Sequence, residues 1–149
     1  MDIVSADKDS WNNAESIIDG TPSLIRYRPD LEYLLGHKDY PRKLTIFWDY
    51  EKKENNGLPT DEQMEEMRKF EDVVVPALDL DRLAIFVLAF TKDGTREWHF
   101  YTGDIGAVGK RFNESLSSFP KLPIELQVET DENWDKLRQI YEICSKERT

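Results

Sequence analysis

Leu83-Ala84-Ile85-Phe86-Val87-Leu88-Ala89-Phe90 is followed by Lys92-Asp93-Gly94-Thr95 and then by Arg96-Glu97-Trp98-His99-Phe100-Tyr101-Thr102. The run from Arg82 to Thr91 is apolar at successive positions, which predicts a strand covered on both faces. Lys92 to Thr95 predicts a hairpin turn, because the Asp-Gly pair tolerates positive φ. In the returning strand, Arg96 to Thr102, Trp98 and Phe100 share one face. Glu97, His99 and Tyr101 share the other.

Upstream, Leu44-Thr45-Ile46-Phe47-Trp48-Asp49-Tyr50 predicts a strand with Leu44, Ile46, Trp48 and Tyr50 on one face. Thr45, Phe47 and Asp49 take the opposite face. Glu51 to Pro59 is a charged loop, and Thr60-Asp61-Glu62-Gln63 reads as a capping box. The helix that follows runs to about Val75, with Met64, Met67, Phe70 and Val74 inward, and Pro76 limits it. Downstream, Asp104 caps a second helix bearing Val108, Phe112, Leu116 and Phe119, closed by Pro120 and Pro123. Ile124 to Thr130 alternates, with Ile124, Leu126 and Val128 inward. Asp131 caps a last helix with Trp134, Leu137, Tyr141 and Cys144 on one face. At the other end, Trp11 to Ile18 and Ser23 to Arg28 form a hairpin around Asp19-Gly20-Thr21-Pro22. Residues 1–10 are polar and expected to fray. Asp30 to Pro41 is a loop with about one helical turn.

From Leu44 the order is strand, helix, strand, strand, helix, strand. That predicts an α+β, ferredoxin-like βαββαβ sandwich with an N-terminal β-hairpin extension and a C-terminal helix. Right-handed crossovers place the strands starting at Leu44 and Arg96 centrally. Leu83–Phe90 then lies near an edge, although both its faces are apolar. The hairpin covers its side, the last helix crosses its open face, or that face is an interface. One domain spanning 1–149 is the simplest organisation.

The chain has 20 Lys plus Arg against 30 Asp plus Glu, a net charge of −10. That charge opposes binding to a nucleic-acid backbone and favours a basic protein partner. Four Trp, six Tyr and seven Phe argue against disorder. No apolar run is long enough to span a membrane, and the first residues do not read as a secretory signal. Cys144 is the one cysteine, so no internal disulfide forms. These features point to the cytoplasm.

Chemistry has few footholds. His99 beside Glu97 and Tyr101 reads either as a base oriented by a carboxylate or as part of a polar sheet face, and no nucleophile accompanies it. His37 reads as a loop residue. Asp49, Glu51 and Glu54 do not match an EF-hand loop, so no metal site is expected. Gly103-Asp104-Ile105-Gly106-Ala107-Val108-Gly109 has glycines before a helix but lacks the Lys-Ser/Thr of a P-loop, and Asp104 would repel phosphate. No catalytic residue and no cofactor is therefore assigned. Phe47 and Tyr101 on the open sheet face, with His99, sit where ferredoxin-like RNA binders stack bases. Asp49, Glu97, Glu125 and Glu129 on that face disfavour RNA, whereas aromatic anchors ringed by acids suit a basic protein. Asp49 to Asp72 is also strongly acidic, either a solvated helix face or a docking surface. The candidate partner-binding residues are Phe47, Asp49, Glu51, Glu54, Glu62, Glu65, Glu66, Glu97, His99 and Tyr101.

Trp11 before Asp19-Gly20, Gly57-Leu58-Pro59 before a helix with Glu71-Asp72, and Asp93-Gly94-Thr95-Arg96-Glu97-Trp98-His99-Phe100-Tyr101 carry a resemblance. The chain resembles the bacterial domain-of-unknown-function family 695 from about Trp11 to Tyr141, and more distantly the B-type ribonuclease E regulator. The resemblance implies a small α+β domain acting as a regulator or inhibitor, and it brings no catalytic residues. The expected function is a non-enzymatic binding protein that neutralises or regulates a partner, preferably as a bacterial immunity protein against a cognate toxin. The alternatives are a regulator of a housekeeping nuclease and a small enzyme using His99. Monomer and homodimer both remain open.

Overall fold

The computed structural model describes residues 11–53 and 56–147, with side chains to Cys144. The expected fraying of residues 1–10 and the site residue Glu54 lie outside the described residues. The described residues form a mixed α+β fold with one six-stranded antiparallel sheet and three α-helices. Strands β1 (Asn12–Ile18) and β2 (Thr21–Tyr27) form the N-terminal hairpin. They are followed by a 3-10 turn (Glu32–Leu34), β3 (Arg42–Asp49), α1 (Asp61–Asp79), β4 (Ala84–Lys92) and β5 (Thr95–Thr102). Then come α2 (Ile105–Ser115), β6 (Ile124–Thr130) and α3 (Asp135–Glu147). The strand order is β1-β2-β4-β5-β3-β6.

The turns follow from residue chemistry. Asp93 and Gly94 alone join β4 to β5, with φ of 48° and 91°, the doubly positive pair that a two-residue hairpin needs. Asp19 and Gly20 do the same between β1 and β2, so β2 starts at Thr21, earlier than the Ser23 expected. The capping box of α1 forms as expected. Thr60 Oγ1 accepts from Gln63 N at 3.2 Å, and Gln63 Oε1 accepts from Thr60 N at 2.8 Å. The helix nevertheless runs past Pro76 to Asp79, beyond the limit expected near Val75. An interior proline costs about 3 kcal/mol. Burial of Leu78 in line with Met67, Phe70 and Val74 offsets part of that, at about 1.5–3 kcal/mol for a leucine.

Two cores lie on opposite sides of the sheet. On one side α1 and α2 cover Leu44, Ile46, Trp48, Phe86, Trp98 and Phe100. On the other, Trp134, Leu137, Ile140 and Cys144 of the α3 region cover Ile25, Ile85, Val87, Leu88 and Tyr101. This accounts for the doubly apolar β4. The hairpin pairs with its edge through β2, and α3 crosses its second face. A bulge between Phe86 and Leu88 turns both Val87 and Leu88 toward the α3 side.

β6 departs from the sequence expectation. Leu126 and Val128 point to the helical side but remain 46 % and 38 % exposed, because α2 ends at Ser115 and the chain returns through Leu122 and Pro123 without covering them. Gly103 also has a structural explanation. A Cβ there would stand 2.2 Å from the Asp39 carbonyl oxygen, so glycine permits close passage of two backbones. Among the described residues, no helix is long and apolar enough to cross a membrane.

Candidate functional site

The α3 side of the sheet is only half covered. Register places Phe90 opposite Glu97, Glu97 opposite Phe47, and Phe47 opposite Glu125. These four residues form one rung across β4, β5, β3 and β6, alternating aromatic and acid. Neighbouring strands lie about 4.8 Å apart, so each carboxylate sits beside a phenyl ring. Around the rung the surface sinks into a hollow of about 520 Å³, also lined by Asp49, Lys92 and Asp93. Four carboxylates and one lysine therefore line it, and Asp93 also pairs with Lys52 at 3.2 Å. Thr95 Oγ1 donates to Asp49 Oδ1 at 3.1 Å and fixes that acid on the rim. Lys136 of α3 approaches the Phe90 ring to 6.0 Å.

Glu97 is held from below. Its Oε1 lies 2.8 Å from His99 Nε2. A carboxylate only accepts, so Nε2 carries the proton and Nδ1 is the acceptor for Thr45 Oγ1 at 3.3 Å or Lys43 Nζ at 3.5 Å. Lys43 also pairs with Glu129 at 3.4 Å. Burial lowers the His99 pKa below its ordinary value of 6.5; the hydrogen bond to Glu97 opposes this, while Lys43 and Lys136 add to it. Burial acts to raise the Glu97 pKa. The bond from His99 and the charges of Lys136 and Lys43 outweigh it, and the carboxyl titrates below 4.5.

The depressed His99 pKa has a consequence for stability. Between its folded and unfolded values the unfolded chain binds the extra proton, so this contribution is full above about pH 6.5 and fades as pH falls below it. Denaturant midpoints measured from pH 8 to pH 5 should decline through that window in the wild type. His99→Gln should remove most of that decline. Equal slopes in the two proteins would refute the neutral buried imidazole.

The predicted site residues divide. Phe47, Asp49 and Glu97 come together in the hollow. His99 and Tyr101 do not lie on an open face as expected; they are 2 % and 0 % exposed. Tyr101 stacks on Trp134 with ring centroids 4.1 Å apart, and its hydroxyl donates to Asp131 Oδ2 at 2.6 Å. Burial first, and then Asp131, raise its pKa strongly. Glu97, His99 and Thr45 stand in the order carboxylate, imidazole, hydroxyl, but Thr45 is 1 % exposed, so no substrate reaches the hydroxyl. Glu51 is exposed beyond β3, its carbonyl accepting from Gln63 Nε2 at 2.8 Å. Glu62, Glu65 and Glu66 lie on α1, across the sheet from Phe47, and Glu65 pairs with Arg68. The expected acidic surface is thus two separate surfaces. Sequence reading missed Phe90, Asp93 and Glu125 as site residues. Alternation had already put Glu125 on the same face as Phe47, but only the β4–β5–β3–β6 register brings Phe90 into line with it.

A second hollow, of about 300 Å³, lies between α1 and the sheet on the other side. Its central charges pair with one another, Glu71 with Arg26 and Arg96 and Glu65 with Arg68. Glu71 accepts from Arg26 at 3.1 Å, Arg96 at 3.2 Å and Trp98 Nε1 at 2.7 Å. Arg26 stacks over Trp11 at 4.3 Å. Nearby, Arg28 Nε and Nη2 are buried with no hydrogen-bond partner among the described residues, and the Trp11 ring lies 5.5 Å from its guanidinium carbon. Among the described residues, no group of three or more His, Cys, Asp or Glu side chains converges as metal ligands would.

A family model described as a family of unknown function, DUF695, matches residues 9–141. Comparison with curated proteins gives no match.

Proposed function

The chain belongs to the DUF695 family, whose function is unknown, and on that footing we propose that it is a non-enzymatic binding protein that neutralises or regulates a partner protein. The preferred form is a bacterial immunity protein that inhibits a cognate toxin in the cytoplasm. A housekeeping nuclease regulator would use the same surface. The observation that carries this reading is the Phe90–Glu97–Phe47–Glu125 rung. A lysine or arginine from a basic partner would lay its alkyl stem on the two rings and its charge among the carboxylates. A phosphate chain would be repelled by the same acids. The enzymatic alternative finds its base, His99, beneath the surface rather than on it.

We also read β3-α1-β4-β5-α2-β6 as a ferredoxin-like unit. The order β4-β5-β3-β6 supports this, with β3 and β5 central and the crossovers through α1 and α2. In this reading the N-terminal hairpin and α3 are additions that close one half of the sheet and leave the β3–β6 half for a partner.

The test is affinity capture from the native host with tagged protein, using Asp49→Lys/Glu125→Lys and, separately, Glu62→Lys/Glu66→Lys. A basic protein bound in equal amount to wild type should be lost from the first variant and kept by the second. Each reversal in the hollow should weaken the purified complex about tenfold or more. Retention by the hollow variant and loss from the α1 variant would move the site to the helix. No basic partner at low or moderate salt would remove the proposal.

A further inference from the structure

β6 forms one outer edge of the sheet, and its free side adjoins the hollow. It pairs with β3 over seven residues without a bulge, from Arg42 opposite Thr130 to Trp48 opposite Ile124. Backbone bonds from Asp49 N to Pro123 O (3.1 Å) and from Asp131 N to Pro41 O (2.8 Å) fix the parity of this ladder. Antiparallel bonding alternates, so Glu125, Gln127 and Glu129 exchange hydrogen bonds with β3. Leu126, Val128 and Thr130 therefore turn their N–H and C=O groups outward. Natural edges of this kind are blunted by proline, lysine, a bulge or a covering element. Among the described residues β6 has no proline, lysine, bulge or covering element, its only charged side chains are the acids Glu125 and Glu129, and its half-exposed Leu126 and Val128 add apolar surface on the helical side.

The side chains say what fits. Glu125 and Glu129 point to the hollow side, and Leu126 and Val128 to the other. A second copy pairing antiparallel about Gln127 would set Glu125 opposite Glu129 twice, like charges directly across strands. A strand with basic residues at alternate positions meets no such conflict. Resting on the hollow as the docking face, we propose that the β6 edge takes up, by strand addition, an extended segment of the partner in which Lys or Arg alternates with apolar residues. The basic side chains lie opposite Glu125 and Glu129 and extend the Phe90–Glu97–Phe47–Glu125 rung by one strand. The apolar ones cover Leu126 and Val128. Main-chain bonds supply affinity, and the alternation supplies specificity.

The test uses a capped seven-residue peptide alternating Lys and Val, with a Glu/Val counterpart, added to the full-length protein and followed by backbone amide exchange. The Lys peptide should slow exchange at the Leu126 and Val128 amides about tenfold or more, and the Glu peptide should not. Val128→Pro removes one outward donor while sparing the β3 ladder, and should weaken the Lys peptide on the order of tenfold. Glu125→Lys/Glu129→Lys, which alters no backbone group, should exchange the peptide preference. Peptide-induced shifts at Phe47 and Glu97 without slowed exchange at Leu126 and Val128 would overturn strand addition while leaving the hollow as the docking face. A Lys peptide that fails to bind, or that binds the reversed variant equally well, would also overturn it.

Discussion

Trp134→Ala should lower folding stability by about 3–5 kcal/mol, as deletion of a fully buried tryptophan typically does. Trp134 is 0 % exposed and lies flat on Tyr101, with an interplanar angle of 4°. Its Nε1 donates to the Tyr40 carbonyl at 3.0 Å, tying α3 to the loop before β3. Truncation therefore removes a stacking partner, leaves a cavity and takes one donor from the Tyr40 carbonyl. It also loosens the lid over Tyr101, so near-ultraviolet dichroism should change with the midpoint of denaturation. Trp134→Phe keeps the ring but loses the donor and should cost less. A loss below about 1 kcal/mol for the alanine variant would mean that α3 does not seal this face.

Glu71→Ala should be comparably damaging, at about 3–5 kcal/mol, the usual cost of removing one member of a buried charge network. Arg96 is 8 % exposed, and burial already lowers its pKa against the opposing influence of Glu71. Without that carboxylate the guanidinium keeps only the Thr91 hydroxyl, at 2.7 Å, among its described hydrogen bonds. Trp98 Nε1 and Arg26 lose their acceptor at the same time. Glu71→Gln retains an oxygen for Trp98 and should fall between the two. Replacing Glu71 and Arg96 together by Leu and Met should recover much of the loss, because the penalty lies in the unpaired charge. An alanine variant as stable as wild type in urea would show that the network contributes nothing.

These two residues also mark how far sequence reading reaches. Trp134 was legible as an inward residue beside Leu137 and Cys144, although it precedes α3 with a φ of 59° rather than lying on the helix as expected. Glu71 was not legible as a hub, since its three donors come from β2 and β5, between 25 and 45 residues away. In the site, Phe47, Asp49 and Glu97 could be placed on one face by period-two alternation. His99 and Tyr101 obey the same alternation yet are buried, because alternation fixes a side of the sheet and not what covers it. Leu126 and Val128 show the converse: patterned as core, they stay exposed where no helix reaches them.

The sequence by itself determined the elements: the Asp-Gly turns, the Thr60–Gln63 cap, the strand faces and the order of strands and helices. Each depends on local sterics and hydrogen bonds within a few residues. Only the tertiary structure decided that the hairpin joins β4, that α3 covers half of the second face, and that Phe90, Glu97, Phe47 and Glu125 share one rung. Those outcomes depend on strand register and on which apolar faces find each other. Both are set by burial summed over the whole chain, which no local window contains.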